Sequence, residues 1–278
     1  MTHGTTFWRS IEAVHDVVYF APGTKQRYET IGLKGYWMGY MASRSAAVGT
    51  PAPELVVALF HGFAPRMVTR ALPDAWSMAS RDDVLATRYG LAHDTLAPAT
   101  DGADTARLAK ELSAITRGID FAGKPLAAAH HSLPEPDDDI GRLWHAATAL
   151  REYRGDCHVA VLTSAGLDGA AANALAVAAG LASDQQRTMR GWTEDEWAAA
   201  VSRLVTRGWV GADGTITETG RSARQQIEDT TDRVCAAGID REATGRMIAI
   251  EEPLLALARG VEASGAVTYP NPTGVRRP

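Results

Sequence analysis

The chain is short of several things at once, and each shortage removes a class of protein. Only two cysteines, Cys157 and Cys235, occur in 278 residues, too few for a disulfide framework. The N-terminus has no basic stretch followed by an apolar run, and no segment approaches the roughly 18 uninterrupted apolar residues of a membrane span. A cytoplasmic protein with no membrane partner is therefore expected. Lysine occurs only at Lys25, Lys34, Lys110 and Lys124, and the formal net charge is -5. There is then no bulk basic field to recruit nucleic acid or an anionic membrane, and partners are expected to be small or locally contacted. GxSxG, P-loop and strand-linked GxGxxG motifs are missing, as are HExxH and CxxC. The common serine hydrolase, nucleoside triphosphatase, dinucleotide and zinc readings lose their support.

What is present is globular: 45% hydrophobic and 22% charged residues. Apolar positions recur at helical spacing from one end to the other. Residues 7–20 read as a short amphipathic helix stopped by Pro22 and Gly23, with His15 and Tyr19 four apart on one face. From Arg27 to Ala47 a helix rich in small and aromatic residues sets Trp37, Tyr40 and Arg44 on one side. A helix, a turn at His61 to Pro65 and another helix follow, then helices over 74–97 and 103–117. Residues 125–138 combine Pro125, Pro134 and Pro136 with an acidic triplet and read as a linker, in which His130 and His131 are expected to be solvated. Beyond it, Asp138 or Asp139 is placed to cap a helix, Thr193 and Glu196 form a capping box, and Asp213-Gly214 signals a tight hairpin.

The expected fold is mainly α, with two helical halves and a C-terminal winged-helix-like unit carrying a small β-hairpin wing. Its domains are 1–124, a linker at 125–138, 139–265, and a mobile tail at 266–278. Trp37 to Arg44 and Trp144 to Arg151 share a spacing, each followed by a glycine and a valine-rich helix. That parallel suggests a duplication, with chance spacing as its competitor, and pockets commonly form between such halves.

The run LVTRGWVGADGTITETGRSARQQIE, 204–228, resembles the recognition helix, wing and following helix of winged-helix proteins of the MarR type. More loosely, the whole chain resembles actinobacterial proteins labelled helix-turn-helix. The resemblance implies DNA binding, and local charge opposes it. A reading helix offers cations and amides to phosphates and base edges. This one begins Glu194, Asp195, Glu196, and the wing from Val210 to Thr219 has Asp213 and Glu218 with no lysine or arginine. Arg187, Arg190 and Arg203 flank the region.

Polar chemistry concentrates between Asp139 and Leu167. On a helix from Ile140 to Tyr153, His145 and Glu152 share one side and Trp144 and Arg151 the other; Gly155-Asp156 is read as a turn that folds His158 back toward them. Three readings stay open. His145 or His158 acts as acid or base with Glu152 orienting it, while Arg44, Arg151 or Arg154 holds an anionic group. Alternatively, His145, Glu152 and His158 ligate a metal, which the lack of a recognised spacing disfavours. Or Arg151, Glu152, Arg154 and Asp156 form an ion-pair network that only holds the halves together. Binding residues are expected among His15, Tyr19, Trp37, Arg44, His61, Trp144, Arg151, Arg154 and Asp156. The cofactor is unknown, a tetrapyrrole held by His15, His61 and the tryptophans being one candidate. The leading expectation is a small-molecule-binding protein that has lost DNA binding, with acid/base catalysis as its extension. The alternative is a MarR-like ligand-responsive regulator, and a homodimer through helix 241–259 is a third class.

Overall fold

In the computed structural model, residues 3–267 are described. Most of the tail expected to be mobile, from 268 onward, lies outside them. Apolar spacing interrupted by proline and glycine resolves into a chain of helices. The first ten are α1 (His3–His15), α2 (Val17–Phe20), α3 (Thr24–Glu29), α4 (Gly35–Ser45), α5 (Pro53–Leu59), α6 (Pro65–Ala71), α7 (Asp74–Met78), α8 (Arg81–Leu96), α9 (Thr105–Arg117) and α10 (Pro125–His131). They are followed by α11 (Asp139–Ser164), α12 (Gly169–Ala178), α13 (Gln186–Met189), α14 (Glu194–Thr206), α15 (Glu218–Ala237) and α16 (Arg241–Ala263). Prolines open α5, α6 and α10, where the missing N–H costs nothing. Side-chain oxygens of Asp138, Asp168, Thr193, Thr217 and Asp240 accept free N–H groups at the starts of α11, α12, α14, α15 and α16. Each such cap stabilises by about 1 kcal/mol.

The 26-residue α11 is the axis of the molecule, with α1, α8, α9, α10 and α15 packed around it. Leu143, Trp144, Ala146, Ala147, Ala149, Leu150 and Tyr153 are all buried, and a helix apolar on every side belongs in a core. Apolar packing forms two clusters. The larger joins α1 to the first two-thirds of α11 and takes in α16, which returns to pack on α1 and α9. The smaller joins the end of α11 to α12, α14 and Ile227 of α15. Of the residues that suggested a dimer through α16, Leu257 is buried within the chain and Ile248 is exposed.

Several expectations are corrected. The β-hairpin wing is not formed: between α14 and α15 the described residues hold one isolated bridge, Val210 to Ile216, and no strand. The turn itself is present, Gly211 N donating to Thr215 O at 2.8 Å, but too few residues flank it to build a ladder. Within 125–138 lies α10, packed on α11 with Leu126, Ala127 and His130 buried. His130 is thus not solvated. Its Nε2 donates to Arg44 O at 3.2 Å, while the partly buried His131 stacks on Phe121 at 4.7 Å. Gly155-Asp156 is no turn, and α11 runs through it unbroken. The roughly 1 kcal/mol that a mid-helix glycine costs is small beside the packing of the helix. Asp156 caps a different helix: its Oδ2 accepts from Leu126 N and Ala127 N at 2.9 and 3.0 Å. No single described helix is long and apolar enough to cross a membrane. α11 and α12 together have the composition but meet at a 98° bend.

Candidate functional site

The turn after α5 docks tightly on the second cluster. A Cβ at Gly169 would lie 2.0 Å from His61 O, and one at Gly191, whose φ is +78°, 2.1 Å from Met67 Cγ. Asn173 Nδ2 donates to Gly62 O at 2.7 Å, and Ala64 N to Arg190 O at 2.9 Å. Between this joint, α1, α4, α11 and α15 opens a cleft of about 610 Å³, within the usual range for small-molecule pockets.

The floor of the cleft is an ion cluster. Glu152 is fully buried and receives Arg44 Nε at 2.8 Å, Arg44 Nη2 at 2.7 Å and Arg151 Nη1 at 3.2 Å. Arg151 Nη2 also reaches Glu12 Oε1 at 3.1 Å. Burial alone would raise the Glu152 carboxyl, but Arg44 and Arg151 outweigh it and hold the group well below the usual carboxylate range. Arg154 is bound by Glu228 and Asp232 at 3.2 and 3.0 Å. These arginines are therefore committed to carboxylates. Arg9, at the same cleft, has no ion-pair or hydrogen-bond partner among the described residues.

Apolar side chains share the cleft with these charges. Tyr40, Phe60, Phe63, Leu162, Ala172 and Leu181 line it, with the Arg44 guanidinium 4.6 Å over the Phe60 ring and Arg190 4.3 Å over Phe63. The charged lining is slightly unbalanced: Arg9, Arg44, Arg151, Arg154, Arg190 and Arg224 meet Glu12, Asp156, Glu228 and Asp232, with Glu152 beneath them as a fifth carboxylate. A protein of net charge -5 thus gathers an excess of cations at one concavity, which focuses a positive field there.

Two histidines and an aspartate are among the cleft groups that titrate away from their ordinary values. Burial pushes His158 down to about 4 despite the pull of Glu228, and burial also lowers His61. Burial pushes Asp156 up to about 6 against the N–H donors of Ala127 and Leu126. His158 Nδ1 lies 3.0 Å from Thr231 Oγ1, which is itself 2.9 Å from Ile227 O.

Of the residues singled out from sequence, Arg44, His61, Arg151, Arg154, Asp156 and His158 line this cleft, and Glu152 lies beneath it. The others are elsewhere. His145 Nδ1 is 2.6 Å from Tyr89 Oη, and thirteen residues of unbroken helix separate it from His158 by roughly 20 Å. His145, Glu152 and His158 thus share no point, and no cluster of three metal-binding side chains occurs among the described residues. His15 is buried, hydrogen-bonded to Thr148 Oγ1 at 3.1 Å and stacked on Trp144. Tyr19 accepts from Arg88 Nη2 at 2.8 Å in the core. Trp37 borders a separate groove with Arg66, Met67 and Gly191. Sequence reasoning missed Arg9, Asn173 and the buried Arg88. Two had a signal: Asn173 is the one polar side chain in the alanine-rich α12, and Arg88 falls on the apolar stripe of α8 between Val84 and Leu91.

The helix expected to read DNA packs through Ala200 and Leu204, and its charged residues pair with neighbours at the surface. The capping box at Thr193 and Glu196 is formed, and Glu196 is clamped by Arg66 of α6, Nη1 to Oε1 at 2.9 Å. Arg203 pairs with Asp168, Arg187 with Glu194, and Arg207 donates to Ala165 O and Gly166 O at the end of α11. Among the described residues the protein is all-helical, with two short helices and a turn docked beside the cleft. The Helix-turn-helix family model matches residues 4–268, nearly the whole chain, and the protein belongs to that family. No curated protein and no solved structure matches.

Proposed function

We propose that this helix-turn-helix family protein binds a small organic anion with a flat apolar body in the cleft between its two packing clusters, and that it does not read DNA. The observation that carries the reading is the arginine excess at a concavity that aromatic and aliphatic side chains also line. Arg9 is the anchor for the acid group, since Arg44, Arg151 and Arg154 are already committed to carboxylates. Asp156, pushed up to about 6, is the cleft group suited to exchange a proton near neutral pH, so acid/base turnover of the bound acid would run through it. The intramolecular engagement of Glu196, Arg203 and Arg207 supports the loss of DNA reading, because phosphate neutralisation supplies most non-specific affinity.

The MarR-like, ligand-responsive regulator is the second reading, and family membership favours it. Calorimetric titration with benzoate and cinnamate against their carboxamides tests the first. The acids should bind more tightly than the amides, and Arg9→Gln should weaken the acids by roughly tenfold while leaving the amides unchanged. Equal binding of acids and amides sinks the anion reading. A salt-sensitive gel shift with DNA from its own promoter, at physiological ionic strength, restores the regulator.

A further inference from the structure

We infer that the cleft selects acids whose flat body also carries a hydrogen-bond donor, a phenolic hydroxyl above all, and that His158 Nε2 is the acceptor that recognises it. This rests on the anion reading above and adds a second specificity element to it.

A threonine hydroxyl has one proton to give. Thr231 Oγ1 lies 2.9 Å from the carbonyl of Ile227, one helical turn back, and a carbonyl only accepts. That proton is therefore spent, and Thr231 Oγ1 meets His158 Nδ1 at 3.0 Å as an acceptor. The His158 proton must then sit on Nδ1. In a neutral imidazole this leaves Nε2 as a bare lone pair, and burial keeps the ring neutral at physiological pH. Nε2 has no hydrogen-bond partner among the described residues, and His158 lines the cleft. Thr231 is fully buried, so water does not compete for its hydroxyl.

The surroundings give the acceptor its meaning. The cleft's arginines are donors only, and its carboxylates Glu12, Asp156, Glu228 and Asp232 already accept from arginines or backbone N–H groups. A ligand hydroxyl aimed at an arginine can only accept and leaves its proton without a partner, whereas one aimed at Nε2 finds an acceptor that is fixed in orientation before binding. Such an acceptor also acts against the wrong ligand, since an apolar group placed on it strands a desolvated lone pair. Thr231 is the positioning residue; His158 makes the contact.

The test compares cinnamate with its ortho-, meta- and para-hydroxy forms by calorimetry on the full chain. At least one hydroxy acid should bind roughly tenfold more tightly than cinnamate. His158→Phe should erase that preference, the hydroxy acids then binding no more tightly than cinnamate. Thr231→Val frees the ring to place its proton on either nitrogen and should cut the preference, and Thr231→Ser should restore it. The nitrogen-15 shifts of the His158 ring give a readout that a packing defect does not move: protonated Nδ1 and bare Nε2 in the wild type and in Thr231→Ser, mixed tautomers in Thr231→Val. Equal affinity for cinnamate and all three hydroxy acids overturns the inference while leaving the anion reading standing, as does a preference that survives His158→Phe. Failure of every acid to bind overturns both.

Discussion

The two parts of α11 carry similar side chains into different surroundings. From Leu143 to Tyr153 the helix is enclosed except where Arg151 reaches the cleft, and its other polar groups are used up on internal partners: His145 on Tyr89, Thr148 on His15, Glu152 on two arginines. From Arg154 to Ser164 one side opens on the cleft, and Arg154, Asp156 and His158 keep a face toward it while another face is tied to α15 or α10. Residue type does not separate the two groups. What separates them is how far along the helix the enclosing elements extend, so the same histidine serves packing at 145 and faces the cleft at 158.

The comparison breaks most visibly at the enclosed end. Glu152→Gln leaves Arg44 and Arg151 buried with their counter-charge reduced, and removing one partner of such a pair costs about 3–5 kcal/mol. A fall of that size in the denaturant midpoint is expected; a change under about 1 kcal/mol would mean the cluster is solvated like a surface pair. The sign with pH follows from the depressed carboxyl of Glu152. Its contribution is full above the ordinary carboxylate range and is lost only as pH falls through the lowered native value. Gly169→Ala comes next. The added carbon meets the His61 carbonyl, so about 1–3 kcal/mol of overpacking is expected. Because that joint closes one side of the cleft, acid binding should weaken with it.

Much of this frame is legible in the sequence, and the parts that are not have local causes. Helical spacing, the Asp138 cap and the Thr193/Glu196 box are short-range signals, and all are found where they were read. The importance of the 139–167 stretch is also legible, because an apolar helix studded with charges has to find partners. The partners themselves are not: Tyr89 lies 56 positions before His145, and Glu12 lies 139 before Arg151. Gly155-Asp156 misleads because a Gly-Asp pair normally signals a turn, and only the burial of both flanks keeps the helix going. Arg9 escapes notice because a lone cation on an amphipathic helix looks like solvated surface until α15 is seen opposite.

Between the histidines the contrast becomes a pair of equal and opposite results. His145→Phe removes a buried hydrogen bond and strands the Tyr89 hydroxyl, at a cost of about 1 kcal/mol, with acid binding unchanged. His158→Phe should move stability by less than that and act on ligand selection. Thermal unfolding and calorimetry on the two variants read both quantities. If His145→Phe alters binding as strongly as His158→Phe, the two parts of α11 are not functionally distinct.

The last effect is confined to a narrow pH range and belongs to Asp156, which stands where the enclosed and open parts meet. Burial raises its carboxyl from 3.8 to about 6, so between those values the folded chain holds a proton that the unfolded chain has released. Stability from this group is therefore fully present below about pH 4 and is lost as pH rises through about 6. Asp156→Asn keeps an oxygen to accept from Leu126 and Ala127 but does not titrate. It should gain about 1 kcal/mol on the wild type between pH 4 and 7, once partial solvent screening is allowed for. Paired denaturation curves across that range measure the difference directly. Were the wild type instead to gain on Asp156→Asn as pH rises, the negative charge would be stabilising the start of α10, and Asp156 would belong with the enclosed residues.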